Sequence, residues 1–305
     1  MIDIHLSESD KRDSENILRK YFTSSKKKEI YDELERLIKY VEPMQRSHKV
    51  HKLTFSDWFK NWFLARNILD LRNLMLTSIP NPQKHSKEMY EKLALGQSEL
   101  ADLEMSHIVF DQKNFAKTSI FAMRRELASR TLNLMDEVTP KSIIEFGCGE
   151  GLILFHTMLI RRDFLRDKSW TGFDYSIARS IRAKILFELF HLTRNESVFI
   201  YNGDGKKVVH HDKEFDVATC CAVIEQLKYK KDEFLQEMGR VAKYTIIQEP
   251  LYSQQTIRGK LHFRRNDYVH LSISDLEKIG KILDIKHYDL NDPTYALSTI
   301  LIENY

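Results

Sequence analysis

The feature that most constrains this chain is a glycine-rich stretch from Ser142 to Leu154, which reads SIIEFGCGEGLIL. Its first five residues form a short apolar run that suits a strand buried on both faces. Glycines then follow at alternate positions, before an apolar segment that is compatible with a helix. The stretch therefore predicts a strand, a tight loop at the carboxyl end of that strand, and a helix.

A loop of this kind suits a nucleotide-like cofactor. Gly147, Gly149 and Gly151 let the backbone turn sharply and leave room for a ligand where a Cβ atom would intrude. A dinucleotide site of the type G-x-G-x-x-G would need a further glycine at the position of Leu152. The spacing is instead G-x-G-x-G, with Glu145 two residues before the first glycine. This stretch resembles the glycine loop of the class I S-adenosylmethionine-dependent methyltransferases, with a nucleotide fold and a structural glycine turn as alternatives.

Composition describes an ordinary globular protein of 305 residues, long enough for one large domain or two modest ones. The formal net charge is only +3, so no overall field marks a nucleic-acid binder. The three cysteines have neither disulfide nor metal-ligand spacing, which favours a reducing compartment. The first residues lack the pattern of a secretory signal, and no apolar run approaches the roughly 18 residues of a membrane span. We therefore expect a cytoplasmic protein with no membrane segment.

Residues 1–105 predict a helical region of their own. Amphipathic helices are expected at Ser14–Phe22 and Lys27–Val41, and a third should begin near Thr54, where Thr54 and Asp57 resemble a capping box. The third helix carries an aromatic stripe for which we expect core packing, with an acceptor-pocket wall or a homodimer contact as alternatives. This stripe consists of Phe55, Trp58, Phe59, Trp62 and Phe63. We expect residues 1–105 to form a lid or acceptor region on a cofactor-binding domain of residues 106–305.

The remainder of the chain alternates between strand and helix patterns, after a long helical pattern from Asp111 to Glu137. A capping box of Ser274 with Glu277 predicts a late helix that extends to about Ile282. Alternation of this kind predicts an α/β fold with a mostly parallel sheet and helices on both faces. The resemblance further implies a Rossmann-like class I fold, with seven strands of which the last is antiparallel, preceded by the helical N-terminal region. Beyond the glycine-loop strand, strands are expected at Trp170–Tyr175, Ser197–Tyr201, Phe215–Cys221, Tyr244–Gln248, Ile285–Leu290 and Ala296–Ile302, and helices at Ile177–Leu192 and Asp232–Val241.

Polar residues at the carboxyl ends of these strands are the candidates for cofactor binding, because ligands of open parallel sheets bind at that edge. Asp174 ends the second strand, about 20 residues after the glycine loop, where a carboxylate accepts hydrogen bonds from ribose hydroxyls. A helix cap is its alternative role, and Tyr175 follows as a further cofactor contact. Asp204 with Gly205 resembles the family position that binds the adenine amino group, although N-G-D-G is also an ordinary turn.

The fourth strand carries the second strong resemblance. Phe215 to Leu227 reads FDVATCCAVIEQL, and many class I methyltransferases have a similar strand that ends in V-I-E-H-L. Gln226 stands where that histidine would be, so any proton transfer or metal ligation by the histidine is in doubt here. Cys220 is small enough to line the cofactor pocket, and a core role is equally compatible with its position.

The resemblance extends from Lys141 to Tyr305 and implies an enzyme that uses S-adenosyl-L-methionine to methylate an acceptor. We predict a small-molecule acceptor, specifically a hydroxyl of a sugar or secondary metabolite. A hydroxyl acceptor is helped by a base, and we rank His270 first and Glu225 second. The other base candidates are Glu249, His262 and Asp267. No metal-ligand spacing is present, so we expect no required metal.

Two other functions stay open from the sequence. An RNA or protein methyltransferase would present an electropositive face, formed from Lys26–Lys28, Arg161–Arg162, Lys228–Lys231 and Arg264–Arg265. A methyltransferase-fold scaffold without catalysis is the second, supported only by Gln226.

On the helix before the glycine loop, Arg124 or Arg125 either meets the methionine carboxylate of the cofactor or lies in solvent.

Overall fold

The computed structural model describes part of the chain, and all structural statements concern that part. The described residues are 24–26, 28–35, 51–52, 91, 106–111, 114–189, 197–227, 230–255, 260–261, 263–264, 268–287, 290–291 and 297–305. The predicted helix at Ser14–Phe22, the aromatic stripe from Phe55 to Phe63, and the base candidates His262 and Asp267 lie outside these residues.

A seven-stranded sheet forms the centre of the described structure. The described strands are β1 (His51–Lys52), β2 (Ser106–Asp111), β3 (Asn114–Ser119), β4 (Ser142–Phe146), β5 (Ser169–Asp174), β6 (Val198–Asn202), β7 (Phe215–Cys221), β8 (Ala242–Glu249), β9 (Gly280–His287), β10 (Leu290–Asn291) and β11 (Ser298–Asn304). The described α-helices with defined bounds are α1 (Ile120–Val138), α2 (Leu152–Ile160), α3 (Ile177–Leu189), α4 (Lys231–Val241) and α5 (Ile273–Leu276).

The strand order of the central sheet is β6-β5-β4-β7-β8-β11-β9. Strands β4 to β8 pair in parallel, whereas β11 is antiparallel to both of its neighbours. This topology confirms the predicted Rossmann-like sheet with an antiparallel last strand. The chain runs outward from β4 to β6 and then returns to β7 on the other side of β4. The carboxyl ends of β4 and β7 therefore adjoin at a topological switch point, where open sheets of this kind bind ligands.

Two hydrophobic clusters cover the two faces of the sheet, because neighbouring residues of a strand point to opposite sides. Ile143 belongs to the cluster that packs against α1, α2 and α3. Ile144, the next residue, belongs to the cluster that packs against α4 and α5. The paired isoleucines of the glycine-loop strand are therefore explained by burial on both faces.

The N-terminal region contributes directly to the first of these clusters. Residues 24–26 and 28–35 are helical, and the second of these ranges lies within the helix that was predicted at Lys27–Val41. Ile30 and Leu34, two apolar positions of the predicted helix, are buried together with Leu132 and Phe155. At least this part of the N-terminal region therefore shares a core with the cofactor-binding fold.

The first part of the predicted helix from Asp111 to Glu137 is wrong. Strands β2 and β3 form an antiparallel hairpin, and α1 begins only at Ile120. A second sheet with the order β1-β3-β2-β10 contains this hairpin. Pairing with β1 and β10, which are distant in sequence, supplies a neighbour on each side that a local helical pattern cannot reveal.

The late capping box was also placed wrongly. The observed box joins Ser272 to Asp275, and it opens α5, which ends at Leu276 rather than near Ile282. An Asp at the third helical position can accept the same backbone bond as a Glu, so both registers satisfied the pattern. Strand β9 then begins at Gly280, earlier than predicted, because its residues pair with β11. The other predicted strands agree with the observed ones to within about two residues.

Candidate active site at the switch point of the sheet

The glycine loop follows β4 and adopts the backbone conformation that its glycines permit. Gly147, Gly149 and Gly151 have φ angles of 68°, 56° and 76°, which residues with a side chain rarely adopt. A Cβ atom on Gly147 would lie 2.6 Å from Cγ2 of Val223, and one on Gly151 would meet the ring of Phe187. These two glycines are therefore also required by packing against the protein itself, in addition to the sharp turn and the room for a ligand that the sequence suggested.

Asp174 connects the glycine loop to the next helix. The backbone N–H of Gly149 donates to its Oδ2 atom at 2.9 Å, and the backbone N–H of Ser176 donates to Oδ1 at 2.8 Å. Asp174 is only 7% exposed, so its carboxylate is held at the carboxyl end of β5 in one orientation. Tyr175, the adjacent residue, is 44% exposed. The structure thus brings Asp174, Gly149 and Tyr175 to the same edge of the sheet.

Asn202 is a site residue that the sequence analysis missed. Its side-chain amide is buried and donates to the backbone carbonyls of Asp174 at 2.8 Å and of Tyr175 at 3.1 Å. This contact holds the end of β5 from the neighbouring strand β6. The only signal in the sequence was an asparagine at a strand end, in a segment interpreted as a turn.

Asp204 and Gly205 follow Asn202 in a turn of their own. The Asp204 carboxylate pairs with Lys206 at 2.7 Å and accepts the backbone N–H of that residue at 3.2 Å. A Cβ atom on Gly205 would lie 2.5 Å from the ring of Phe234, so packing explains this glycine. Contacts within the protein are therefore sufficient to explain this turn, and the adenine role of Asp204 stays a prediction.

Glu145 and Cys220 are buried below the loop rather than displayed at its surface. Glu145 is 3% exposed, and burial raises its pKa to about 8, although the indole of Trp170 opposes this rise. Within the described chain, its Oε2 atom has no hydrogen-bond partner. Cys220 is 2% exposed, and its Sγ atom lies 4.0 Å from Glu249. Burial, with Glu249 nearby, raises the pKa of this thiol, and Cys220 belongs to the core cluster on one face of the sheet.

Two buried carboxylates adjoin at the carboxyl ends of β7 and β8. Glu249 accepts the backbone N–H groups of Val223 and Ile224 at 2.5 and 2.8 Å, and thereby holds the turn that follows β7. Glu225 lies in that turn and is 4% exposed. Burial, followed by the charge of Glu225, raises the pKa of Glu249 to about 8. Gln226, in place of the family histidine, donates its side-chain amide to the carbonyl of Ala222 at 2.7 Å.

His270 lies at the rim of the same edge. Its ring stacks on Tyr252 with a centroid separation of 3.6 Å. The backbone N–H of Val269 donates to the carbonyl of Glu225 at 2.7 Å, so the two base candidates lie on segments that contact each other. Burial, with the positive charges of Arg264 and Lys231, lowers the pKa of His270.

The first half of α1 covers the carboxyl ends of β7 and β8. The carbonyl of Leu127 accepts the side-chain amide of Gln248 at 2.8 Å, and Leu127 packs in a small cluster with Ile153 and Cys221. Arg124 precedes Leu127 by about one turn. Burial and Glu249 raise the pKa of the Cys221 thiol, and the charge of Arg124 opposes this rise. Arg124 therefore lies near the switch point.

Two absences concern only the part of the chain that the structure describes. In these residues, no group of three or more His, Cys, Asp or Glu side chains is arranged to hold a metal ion. None of the helices found there is long and apolar enough to span a membrane.

A parallel sheet with a glycine loop and an acidic strand end at its switch point defines a Rossmann-like fold that binds a nucleoside cofactor. The sequence matches the family described as methyltransferase domain over residues 121–291, which is more than half of the chain. The chain therefore belongs to this family, and it is a class I methyltransferase that uses S-adenosyl-L-methionine. No curated protein matches its sequence.

Solved structures that resemble this chain include enzymes of varied chemistry. Geranyl diphosphate C-methyltransferase from Streptomyces coelicolor, in complex with Mg²⁺, geranyl diphosphate and S-adenosyl-L-homocysteine, aligns with a TM-score of 0.51 and 11% identity, over 74% of this chain and 100% of that chain. Magnesium protoporphyrin IX methyltransferase from Synechocystis, also with S-adenosyl-L-homocysteine bound, aligns with a TM-score of 0.46 and 10% identity, over 59% of this chain and 83% of that chain. An N-methyltransferase from Bradyrhizobium japonicum aligns with a TM-score of 0.46 and 14% identity, over 59% and 86%.

The residues of this chain fit the cofactor. The left-handed glycines form a loop without side chains at the switch point, and Asp174 places a fixed carboxylate next to it. A cation, Arg124, lies about one helical turn before Leu127, whose carbonyl accepts the side-chain amide of Gln248 near the end of β8. This set can receive the ribose and the amino acid end of S-adenosylmethionine, which carry hydroxyl and carboxylate groups.

Proposed function

We propose that this enzyme methylates a hydroxyl group of a small molecule, such as a sugar or a secondary metabolite. The observation that carries the proposal is the position of His270, which stacks on Tyr252 at the carboxyl end of the sheet and has a lowered pKa. An imidazole with a lowered pKa is neutral at neutral pH. It can therefore accept the proton that a hydroxyl loses as it attacks.

When bound, S-adenosylmethionine supplies an electrophilic methyl group, and the acceptor atom must lie about 3 Å from its carbon on the side opposite sulfur. The protein contributes the placement of both partners. In this proposal Asp174 orients the ribose, Tyr175 contacts the adenosine, and Asp204 with Gly205 borders the adenine. Arg124 pairs with the amino acid carboxylate. Glu145 and Cys220 support the loop from below, and Glu225 is the second candidate for the base.

The segment that carries His270 is anchored to the two segments that follow β7 and β8. Its neighbour Val269 donates to Glu225 after β7, and Leu271 accepts the backbone N–H of Tyr252 after β8 at 3.1 Å. Lys231 donates to the carbonyl of His270 at 3.0 Å. Anchoring at these points restricts the ring to the rim of the site, which is what a base for a bound acceptor requires.

Three of the described basic residues that could have formed an electropositive face instead have acidic partners, which supports a small acceptor over a nucleic acid. Lys26 pairs with Glu29 at 2.7 Å, Arg161 pairs with Asp136 at 2.6 Å, and Lys231 pairs with Asp275 at 2.7 Å. Each of these was a candidate for an electropositive face, and each has an acidic partner that reduces its attraction for phosphate.

We further propose that residues 1–105 form the lid or acceptor region of the enzyme. Ile30 and Leu34 support this, since they share the core of the cofactor-binding fold.

Transfer of a labelled methyl group from S-adenosylmethionine tests the proposal. The acceptors are hydroxylated small molecules, their matched amines, bulk RNA and a protein extract. We expect transfer to a hydroxylated compound, and a loss of at least about 100-fold in kcat for His270→Ala with cofactor affinity unchanged. His211→Ala, in an exposed histidine near the amino end of β7, is the control that retains activity. Transfer only to amines, RNA or protein, or full activity in His270→Ala, would contradict the proposal.

A further inference from the structure

Glu91 contacts the cofactor edge of the sheet from the N-terminal region. Its carboxylate is 4% exposed and lies at the start of α3. The backbone N–H groups of Ile177 and Ala178 donate to it at 2.7 and 2.9 Å, and the hydroxyl of Ser176 donates at 3.1 Å. Glu91 therefore satisfies N–H groups that the first turn of a helix leaves without intrahelical partners.

The same turn also holds Asp174. Ser176, whose hydroxyl donates to Glu91, donates its backbone N–H to Asp174. Asp174 in turn accepts the backbone N–H of Gly149 in the glycine loop. A continuous series of hydrogen bonds thus runs from Glu91 through Ser176 and Asp174 to Gly149. Its geometry is set at one end by a residue outside the part of the chain that resembles a methyltransferase.

We propose that Glu91 is a positioning residue for the cofactor, which orients the Asp174 carboxylate by fixing the turn from Asp174 to Ala178. The inference rests on the proposed contact between Asp174 and the ribose. It assigns to the N-terminal region an indirect part in cofactor binding, through Asp174, in addition to any role as a lid over the acceptor.

A second contact of the N-terminal region reaches the glycine loop by another route. Arg182 of α3 is 1% exposed and donates to Glu33 at 2.8 Å. Its Nε atom lies 3.9 Å from the carboxylate of Glu150, which belongs to the glycine loop and is also 1% exposed. The helical segment at residues 28–35 and Glu91 are therefore both connected to the loop and turn that face the cofactor.

The chemistry of Glu91 suits positioning because only a carboxylate offers acceptors to all of these donors at once. Two oxygens of one ionised group accept from two adjacent backbone N–H groups and a hydroxyl, and the negative charge faces the positive end of the helix dipole. Glutamine has the same length but presents a donating amide group in place of one oxygen. Glu91→Gln should therefore loosen the turn without removing the side-chain volume.

The test measures the dissociation constant of S-adenosyl-L-homocysteine by calorimetry for the full chain and its variants. We expect Glu91→Gln to weaken binding about tenfold, as loss of hydrogen bonds to a charged group predicts. Asp216→Asn is the matched control, since this carboxylate also accepts two backbone N–H groups, those of Lys141 and Ser142, but at the amino end of the sheet. It should lower the unfolding temperature and leave the dissociation constant unchanged.

A double-mutant cycle separates positioning from general destabilisation. If Glu91 acts through Asp174, the effects of Glu91→Gln and Asp174→Ala on the binding free energy will not add. Once Asp174 is replaced by alanine, Glu91 has no carboxylate to orient. Additive effects, or an unchanged dissociation constant in Glu91→Gln, would overturn the inference. A weakened control variant, Asp216→Asn, would overturn it as well.

Ser176→Ala provides a milder variant if Glu91→Gln does not fold. It removes only the hydroxyl that donates to Glu91, and we expect binding to weaken about threefold. Wild-type affinity in Ser176→Ala would then count against the inference. If Asp174→Ala itself binds like the wild type, the ribose assignment fails and the inference with it. If Asp174→Ala is weakened while Glu91→Gln and Ser176→Ala are not, the inference alone fails.

Discussion

The Oδ2 atom of Asp174 accepts the backbone N–H of Gly149 at 2.9 Å. This bond joins the acidic end of β5 to the glycine loop that follows β4, so the two motifs form one rigid edge before any ligand arrives. Preorganisation of this kind reduces the ordering cost of binding. It also makes the position of the carboxylate dependent on the conformation of the glycine loop.

Replacement of Asp174 by alanine should weaken binding of S-adenosyl-L-homocysteine at least tenfold. The same loss is expected for 5′-methylthioadenosine, because both ligands carry the ribose hydroxyls. Calorimetric titration measures both affinities, with Asp167→Ala in an exposed loop as the control. Unchanged binding of either ligand would remove the ribose assignment.

Replacement of Arg124 by methionine should distinguish the two ends of the cofactor. We expect about a tenfold loss of affinity for S-adenosyl-L-homocysteine, since a charge-assisted contact with its carboxylate is removed. Binding of 5′-methylthioadenosine, which lacks that carboxylate, should not change. Arg125→Met, in the adjacent residue, is the control, and equal losses for both ligands in Arg124→Met would contradict a carboxylate contact.

Replacement of Arg182 by methionine should destabilise the fold by about 3 kcal/mol, because it removes the cation beside a buried carboxylate. The carboxylates that lose this partner are those of Glu33 and Glu150. Urea unfolding followed by circular dichroism measures the change. Arg161→Met provides the comparison, since its pair with Asp136 is exposed, and there we expect less than about 1 kcal/mol. Similar effects of the two substitutions would show that burial does not decide the strength of these pairs.

Glu249 should make stability fall as the pH rises. Its pKa is raised from 4.5 to about 8 in the folded state, so the folded protein holds a proton that the unfolded chain releases above about pH 4.5. Stability from this group is complete below that pH and is lost as the pH approaches 8. Glu249→Gln, which cannot ionise, should therefore exceed the wild type at pH 9 by roughly 2–4 kcal/mol and match it near pH 4.5.

Urea unfolding at several pH values measures this difference. Because glutamine keeps an oxygen for Val223 and Ile224, the turn after β7 should survive in the variant. Glu237→Gln is the control at a second buried carboxylate, where loss of the pair with Arg240 should lower stability. Parallel pH profiles for the wild type and Glu249→Gln would show that Glu249 is ionised in the folded protein.

Local sequence patterns were sufficient to predict the parallel strands of the fold. The apolar run from Ser142 to Phe146, the glycines and Asp174 all lie where the sequence predicted, because each pattern reflects a backbone requirement within a few residues. The hairpin of β2 and β3 and the capping box at Ser272 were not predicted correctly. At the hairpin, pairing with distant strands overrode a local helical pattern. At the capping box, two local registers were nearly equivalent, and the folded chain uses the earlier one.

The sequence by itself determined the class of sheet, the position of the glycine loop and the order of the strand-end residues, since these follow from periodicity and from glycine stereochemistry. Only the tertiary structure decided which residues support the site. Asn202 reaches it from a neighbouring strand, Glu91 from the N-terminal region and Arg182 from α3, whereas Cys220 is buried in the core. A contact between residues far apart in the chain produces no periodic pattern in the sequence. Its energy depends on burial and on the direction of side chains, which only the folded chain defines.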